Sequence, residues 1–157
     1  MAVVRRSVRA LLVDPADRVL LVQLSLPGVP LWVAPGGGVE EHESVDEALE
    51  RELREEVGKV DLAAARLVWH RRLERDDLLA GYDGVDEHWF LARVDAFEPA
   101  PELAPEELGA EGVTDVRWWT LDELDRATDL LGPRALPRLL RDLLAVPDRP
   151  VLELTEL

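Results

Sequence analysis

"PGGGVEEHESVDEALERELREEVG", residues 35–58, is the stretch on which the reading of this chain turns. Its second half has the pattern of an amphipathic helix. Val45, Leu49, Leu53 and Val57 recur every four residues and fall on one stripe at 3.6 residues per turn. Ser44, with Glu47 three residues on, makes a capping box ahead of that stripe, and Gly58 stands where a left-handed residue ends a helix. The same 24 residues hold nine carboxylates (Glu40, Glu41, Glu43, Asp46, Glu47, Glu50, Glu52, Glu55 and Glu56) against two arginines. Like charges three or four apart destabilise a helix by about 0.2–0.5 kcal/mol per pair. So much negative charge on one turn and one helix calls for a physical reason.

The carboxylates are not equivalent. Glu52, Glu55 and Glu56 fall in an arc of roughly 100° beside the apolar stripe, Glu56 nearest its buried edge and Glu55 farthest. Ala48 shares the arc and leaves room. Three carboxylates converging at a semi-buried edge are costly unless a cation sits among them. A hard divalent ion, Mg²⁺ or Mn²⁺, suits such oxygen ligands. Arg51, one turn before Glu55, is placed to pair with it, and Arg54 is expected to face solvent. The Gly36–Gly38 run lets the backbone approach a ligand closely and present its own polar groups. Taken alone, "ERELREE" also reads as a solvated helix and the glycines as an ordinary turn; the joint spacing favours a phosphate-and-metal site.

Working outward, residues 3–14 and 18–25 read as strands joined by the turn "DPAD", a β-hairpin. "LPGVP" (26–30) reads as loop and "LWVA" (31–34) as a short strand running into Pro35. Beyond the helix, "ARLVWHRRLER" and "DEHWFLARVDAF" are strand-like, separated by the turn-rich "DDLLAGYDGV". The acidic, proline-containing stretch 98–112 reads as a surface loop. "VTDVRWWTL" reads as a strand. "LDELDRATD" and "PRALPRLLRDLLA" read as helices, the second amphipathic through Leu136, Leu139, Leu140, Leu143 and Leu144. The tail from Val146 carries no clear signal. The order β-β-β-α-β-β-β-α-α predicts an α+β fold, an α/β/α sandwich with a mixed β-sheet flanked by helices, in one domain over residues 1–157.

Composition narrows the function. The 157 residues contain no cysteine, which excludes disulfides, thiolate metal sites and a cysteine nucleophile. No apolar run approaches the roughly 20 residues of a membrane span, and the N-terminus reads as a strand rather than a signal peptide, so a cytoplasmic location is expected. A formal net charge of −15 with no basic stripe argues against a nucleic acid polymer or an anionic membrane as partner. A small anionic substrate remains compatible if a cation mediates the contact.

Gly37, five residues, Glu43, seven residues, then Arg51-Glu52-Leu53-Arg54-Glu55-Glu56-Val57-Gly58 resembles the Nudix box, G-x5-E-x7-R-E-U-x-E-E-x-G-U, with U a bulky aliphatic residue. The match departs only at the last position, where Lys59 stands for U and Val60 follows one place late. "WVAPGGGVE", "EHWFLARV" and "VRWWTLDEL" also look like Nudix hydrolases, so the likeness covers about Val3 to Ala127. The resemblance implies the Nudix fold and Mg²⁺-dependent hydrolysis of a nucleoside diphosphate linked to another moiety, through attack of water on phosphorus. It implies Glu52, Glu55 and Glu56 as metal ligands, with Gly36 and Gly37 contributing backbone carbonyls. Glu43 and Arg51 are implied to orient the loop and helix. His42 stands where a glycine is usual in the loop and is expected at the surface.

The general base is open on this reading. A box glutamate is one candidate and Glu87, at the head of "EHWFLARV", another, either as base or as an additional ligand. Asp83, Asp86, Glu106 and Glu107 are weaker candidates, and His70 and His88 are expected in surface or packing roles. Arg5, Arg6 and Arg9 in the first strand are candidates for phosphate contacts. Trp32 is a candidate for stacking on a base, although Trp32, Trp89, Trp118 and Trp119 also fit a strand core. Nucleoside triphosphates, ADP-ribose and other nucleotide sugars all suit the substrate class as a small nucleotide. RNA decapping is disfavoured by the charge, and a Nudix-type isomerase by the lack of cysteine. A non-catalytic nucleotide-binding regulator is the alternative, disfavoured by a nearly intact box. Homodimers are frequent among proteins of this kind, so a homodimer is expected.

Overall fold

The computed structural model describes residues 2–27 and 29–155. In chain order the elements are β1 (Val4–Val13), β2 (Val19–Leu26), β3 (Val29–Val33), β4 (Gly36–Gly38), α1 (Val45–Glu56), β5 (Arg66–Leu73), β6 (Gly84–Arg93), α2 (Pro105–Ala110), β7 (Val113–Trp119), α3 (Leu121–Asp125), β8 (Leu130–Gly132), α4 (Leu136–Ala145) and β9 (Leu152–Glu153). The strands form one mixed sheet in the order β8-β3-β2-β1-β6-β5-β9, with β4 paired to β1 and β7 paired to β2.

β1 is the axis of the sheet. It runs parallel to β6 from Val4↔Gly84 to Val13↔Arg93. Val8, Ala10, Leu11, Leu12 and Val13 are all fully buried, the continuous apolar run of a strand covered on both faces. One face carries Val8, Ala10, Leu12, Leu20 and Val22 against Leu49 and Leu53 of α1, Val57 just past its end, and Leu108 of α2. The other carries Leu11, Val13, Val19, Leu21, Trp69 and Trp89 against Leu124 of α3 and the leucine stripe of α4. The expected α/β/α sandwich is therefore the observed architecture. Alternation along a strand sends successive side chains to opposite faces, so β1 alone feeds both cores.

Several local expectations change. β2 and β3 extend through "LPGVP", with Leu26↔Val29 and Ser25↔Pro30 in antiparallel register; only Pro27 and Gly28 lie between them, and Gly28 is outside the described residues. Pairing of the flanking backbone overrides the turn-like composition. Gly36–Gly38 is a strand rather than a turn, held antiparallel to β1 through Ser7↔Gly38 and Arg9↔Gly36. The 98–112 stretch contains α2, with Pro105 in its first turn, Glu107 accepting the Ala104 N–H at 3.1 Å, and Leu108 buried beneath it. β8 and β9 have three and two residues, too few to show a period. Among the described residues no helix is long and apolar enough to cross a membrane.

Candidate active site

Backbone contact comes first. A Cβ on Gly36 would lie 1.9 Å from the Val8 carbonyl oxygen, and one on Gly37 would lie 2.5 Å from the Glu52 carboxylate. Glycine is required at Gly36, where β4 is pressed on the backbone of β1, and at Gly37 it leaves room for the Glu52 carboxylate of α1. The start of α1 is set by the reciprocal cap expected at Ser44 and Glu47, whose two hydrogen bonds are both 3.1 Å. Its end is closed by Gly58, at φ 126°, whose N–H reaches the Leu53 carbonyl at 2.9 Å.

Arg51 joins the loop to the helix. Its guanidinium donates to Glu43 at 2.6 and 2.8 Å, to the Gly38 carbonyl at 2.9 Å and to Glu52 at 3.0 Å, and lies 3.6 Å from Glu55. The hydrogen bonds from Arg51 hold the Glu43 carboxyl down at about 2, and Glu43 in turn accepts the Glu40 N–H at 3.0 Å. Arg54 points away, toward Glu102 at 2.9 Å. Lysine at position 51 would keep the charge but not the planar fork. Arg51→Lys is expected to lower kcat/KM by about 10- to 100-fold, the range for residues that orient ligating side chains. Steady-state kinetics beside a circular dichroism melt would check this; unchanged kinetics would remove Arg51 from that role.

Glu52 and Glu56 are 8% and 4% exposed, and Glu55 is half-buried. Burial pushes the Glu56 carboxyl up to about 8, against the opposing pull of Arg9 and with Glu52 adding to the rise. Glu56 Oε2 accepts the Gly36 N–H at 3.3 Å. Burial also raises Glu52 and Glu55, with Arg51 opposing in both cases. Carboxylate oxygens of Glu52, Glu55 and Glu111 lie within 4.8 Å of one another. Glu111 is not among the residues the sequence singles out, unlike Glu106 and Glu107 in the same stretch. It had no signal beyond its place in an acidic stretch. The end of α2 and the start of β7 deliver it, and Gly112, at φ 84°, fixes the intervening turn by accepting the Ser25 N–H at 2.8 Å. An all-oxygen set with one deeply buried carboxylate and one guanidinium is chemically suited to a hard divalent cation.

Glu87 is elsewhere. It is buried on β6, on the sheet face opposite α1, and its carboxylate accepts a hydrogen bond from Arg71. With Arg9, Arg71, Trp89, Leu131 and Arg134 it lines a cavity of about 270 Å³. Arg9 bridges the two regions: Nη1 donates to the Ala34 carbonyl at 3.0 Å, and its charge acts on Glu56. Arg5 lies over Gly38, while Arg6 is exposed on the α1 face of β1. Trp32 is 3% exposed, meets Trp119 edge-on at 5.1 Å and donates its indole N–H to Asp129 at 3.0 Å. It has no open face for a base, which corrects the stacking expectation; the two-sided sheet claims its ring for the core. Trp89 and Trp119 are likewise buried. Val60 packs against the α1-side core, Lys59 and His42 are exposed, and Asp83 accepts the Val3 N–H at 2.7 Å.

A NUDIX domain profile matches residues 3–141. The chain is 35% identical over 104 residues to an RNA pyrophosphohydrolase of Erythrobacter litoralis, covering 60% of this chain and 62% of that protein. It is 34% identical over 107 residues to an RNA pyrophosphohydrolase of Teredinibacter turnerae, covering 63% and 62%. The chain thus spans about three-fifths of the length of these curated relatives. Among solved structures, the MutT NUDIX hydrolase from Burkholderia pseudomallei has a TM-score of 0.64 at 25% identity, covering 87% of this chain and 95% of that one. The NUDIX domain of Shewanella oneidensis NrtR, solved with ADP ribose, shares the fold with a TM-score of 0.69 at 24% identity, covering 92% and 90%.

Proposed function

The chain belongs to the NUDIX domain family, and from that premise we propose that it is a divalent-metal-dependent pyrophosphohydrolase acting on the 5′ di- or triphosphate of a nucleotide. The observation that carries the reading is the convergence of Glu52, Glu55 and Glu111 beside the buried Glu56. Glu52, Glu55 and Glu56 would hold Mg²⁺ or Mn²⁺, with the Gly36–Gly37 backbone alongside. Such an ion polarises phosphoryl oxygens, neutralises the diphosphate and lowers the pKa of bound water.

The chain's own residues supply position and charge. Arg51 and Glu43 keep the glycine strand and α1 in one arrangement, so the carboxylates need not reorganise during reaction. Arg9 brings positive charge to the neighbouring cavity, where the nucleoside of a substrate can seat with its phosphates directed toward Gly36. Glu111 is exposed and comes from a separate element, and it serves as the proton acceptor for the attacking water. Glu111→Gln is therefore expected to lower kcat by about 10²-fold or more, the usual worth of a general base. Glu106→Gln should leave kcat unchanged. Equal rates in wild type and Glu111→Gln would remove that glutamate from the reaction.

The curated relatives are named for RNA, which favours a 5′-phosphorylated RNA end as a substrate beside free nucleotides. The net charge of −15 is compatible with gripping such an end and works against tracking a long backbone. The deciding experiment is a panel of nucleoside triphosphates, ADP-ribose, nucleotide sugars and a 5′-triphosphorylated oligoribonucleotide, each with Mg²⁺, with products identified chromatographically. Release of pyrophosphate, phosphate or a nucleoside monophosphate from any member supports the hydrolase; binding without turnover across the panel replaces it with a nucleotide-binding regulator.

A further inference from the structure

A second group of ligand-type side chains lies on the α1 face of the sheet, where β5 and β6 run antiparallel. His70 and His88 are direct cross-strand partners, with ring centroids 4.9 Å apart. Asp86, two residues before His88, shares its face. Ligand atoms of His70, Asp86 and His88 lie within 4.8 Å of one another, and none of the three belongs to the Glu52–Glu55–Glu111 group.

The surrounding contacts assign roles to these atoms. His70 Nδ1 meets Glu153 of β9 at 2.7 Å, and Nε2 meets Asp86 Oδ1 at 2.5 Å. A carboxylate behind Nδ1 is the usual outer partner of a metal-binding imidazole; it fixes the tautomer and turns Nε2 forward. The close Nε2–Asp86 contact thus marks the position a metal would take. Among the described residues, the buried His88 Nδ1 has no hydrogen-bond partner. Arg72 lies 3.6 Å from Asp86 Oδ2 and leaves Oδ1 facing His70. Arg6 also acts on the cluster.

We propose that His70, Asp86 and His88 form a second metal site, for a borderline divalent transition-metal ion such as Zn²⁺, with Glu153 bracing His70 from outside. Two imidazoles and one carboxylate suit Zn²⁺ or Co²⁺ and not Mg²⁺, so the two sites differ in ion preference. At roughly 2.0–2.2 Å from each ligand, a tetrahedral ion would open the His70–Asp86 contact by under about 1 Å and leave one position for water. Through Glu153, the ion would also tie the C-terminal strand to β5.

Titration of the full chain with Co²⁺, in excess Mg²⁺ to occupy the carboxylate site, tests this. One equivalent of Co²⁺ is expected to give the strong visible bands of four-coordinate, nitrogen-ligated cobalt. Zn²⁺ should bleach them stoichiometrically, and His88→Ala and His70→Ala should each weaken binding at least tenfold. Absence of the bands in the wild type, their loss on raising Mg²⁺, or their survival in both histidine variants would overturn the site. Should either variant fail a circular dichroism check for folding, Asp86→Asn takes its place, and the wild-type spectrum still decides.

Discussion

Glu56→Gln is expected to reduce kcat by about 10³-fold or more, equivalent to about 4 kcal/mol of transition-state stabilisation, while the protein stays folded. The amide keeps the size of the side chain and an acceptor for the Gly36 N–H, but it removes the most deeply buried carboxyl group of the set. The same substitution should stabilise the metal-free protein. The folded-state pKa of Glu56 stands near 8, above the 4.5 of an unperturbed glutamate. Between those values the folded state binds more protons than the unfolded state, so stability must fall as pH rises from about 4.5 to about 8. With a chelator present, wild-type Tm should drop across that window and the Glu56→Gln profile should be flatter. Added Mg²⁺ should raise the wild-type Tm most at the alkaline end. A variant with wild-type kcat would dismiss Glu56 as a metal ligand, and parallel Tm profiles would dismiss its buried charge.

Gly36→Ala is the second large effect. The new methyl would sit 1.9 Å from the Val8 carbonyl oxygen and 2.9 Å from the Arg9 Cα, both backbone atoms, so no rotamer change relieves it. Its φ of 151° is also a conformation L-residues rarely adopt. Strain and displacement together should cost about 3 kcal/mol or more, roughly 6–12 °C in Tm for a chain of this size. Turnover should fall with it, because the Gly36 N–H would leave Glu56. Gly109→Ala is the control: it lies within α2, and among the described residues nothing stands within 4 Å of its added methyl. A Gly36→Ala protein melting within about 2 °C of wild type would refute the close approach of β4 to β1.

How much of this was legible follows from the range of the forces involved. The helix α1 could be read because its signals are local. Valine and leucine spacing, a capping box and a terminal glycine are all written within fifteen residues, and the structure has the helix, the cap and the buried stripe. The sandwich could be read because strand alternation and the leucine stripe of α4 name their own buried faces. The spacing of Glu52, Glu55 and Glu56 likewise put three carboxylates on one side of one helix, with Glu56 deepest.

The rest depended on pairing between distant segments. A glycine run has no side chains to reveal that it will pair with β1. Pro30 reads as loop until β2 supplies its partner strand. Trp32 could have been a platform or a core residue, and only the sheet order, with Trp119 and Asp129 beside it, buries it. Glu111 reached Glu52 and Glu55 because α2 and β7 deliver it there, and Glu87 was carried to the opposite face by the alternation of β6. By itself, then, the sequence determined the helix that bears the acids and the family to which the chain belongs, since both rest on residues close in the chain. Only the tertiary structure decided which distant carboxylate joins them and which aromatic is closed to ligands. It also decided which histidines meet, because strand register sets those contacts and no local pattern encodes it.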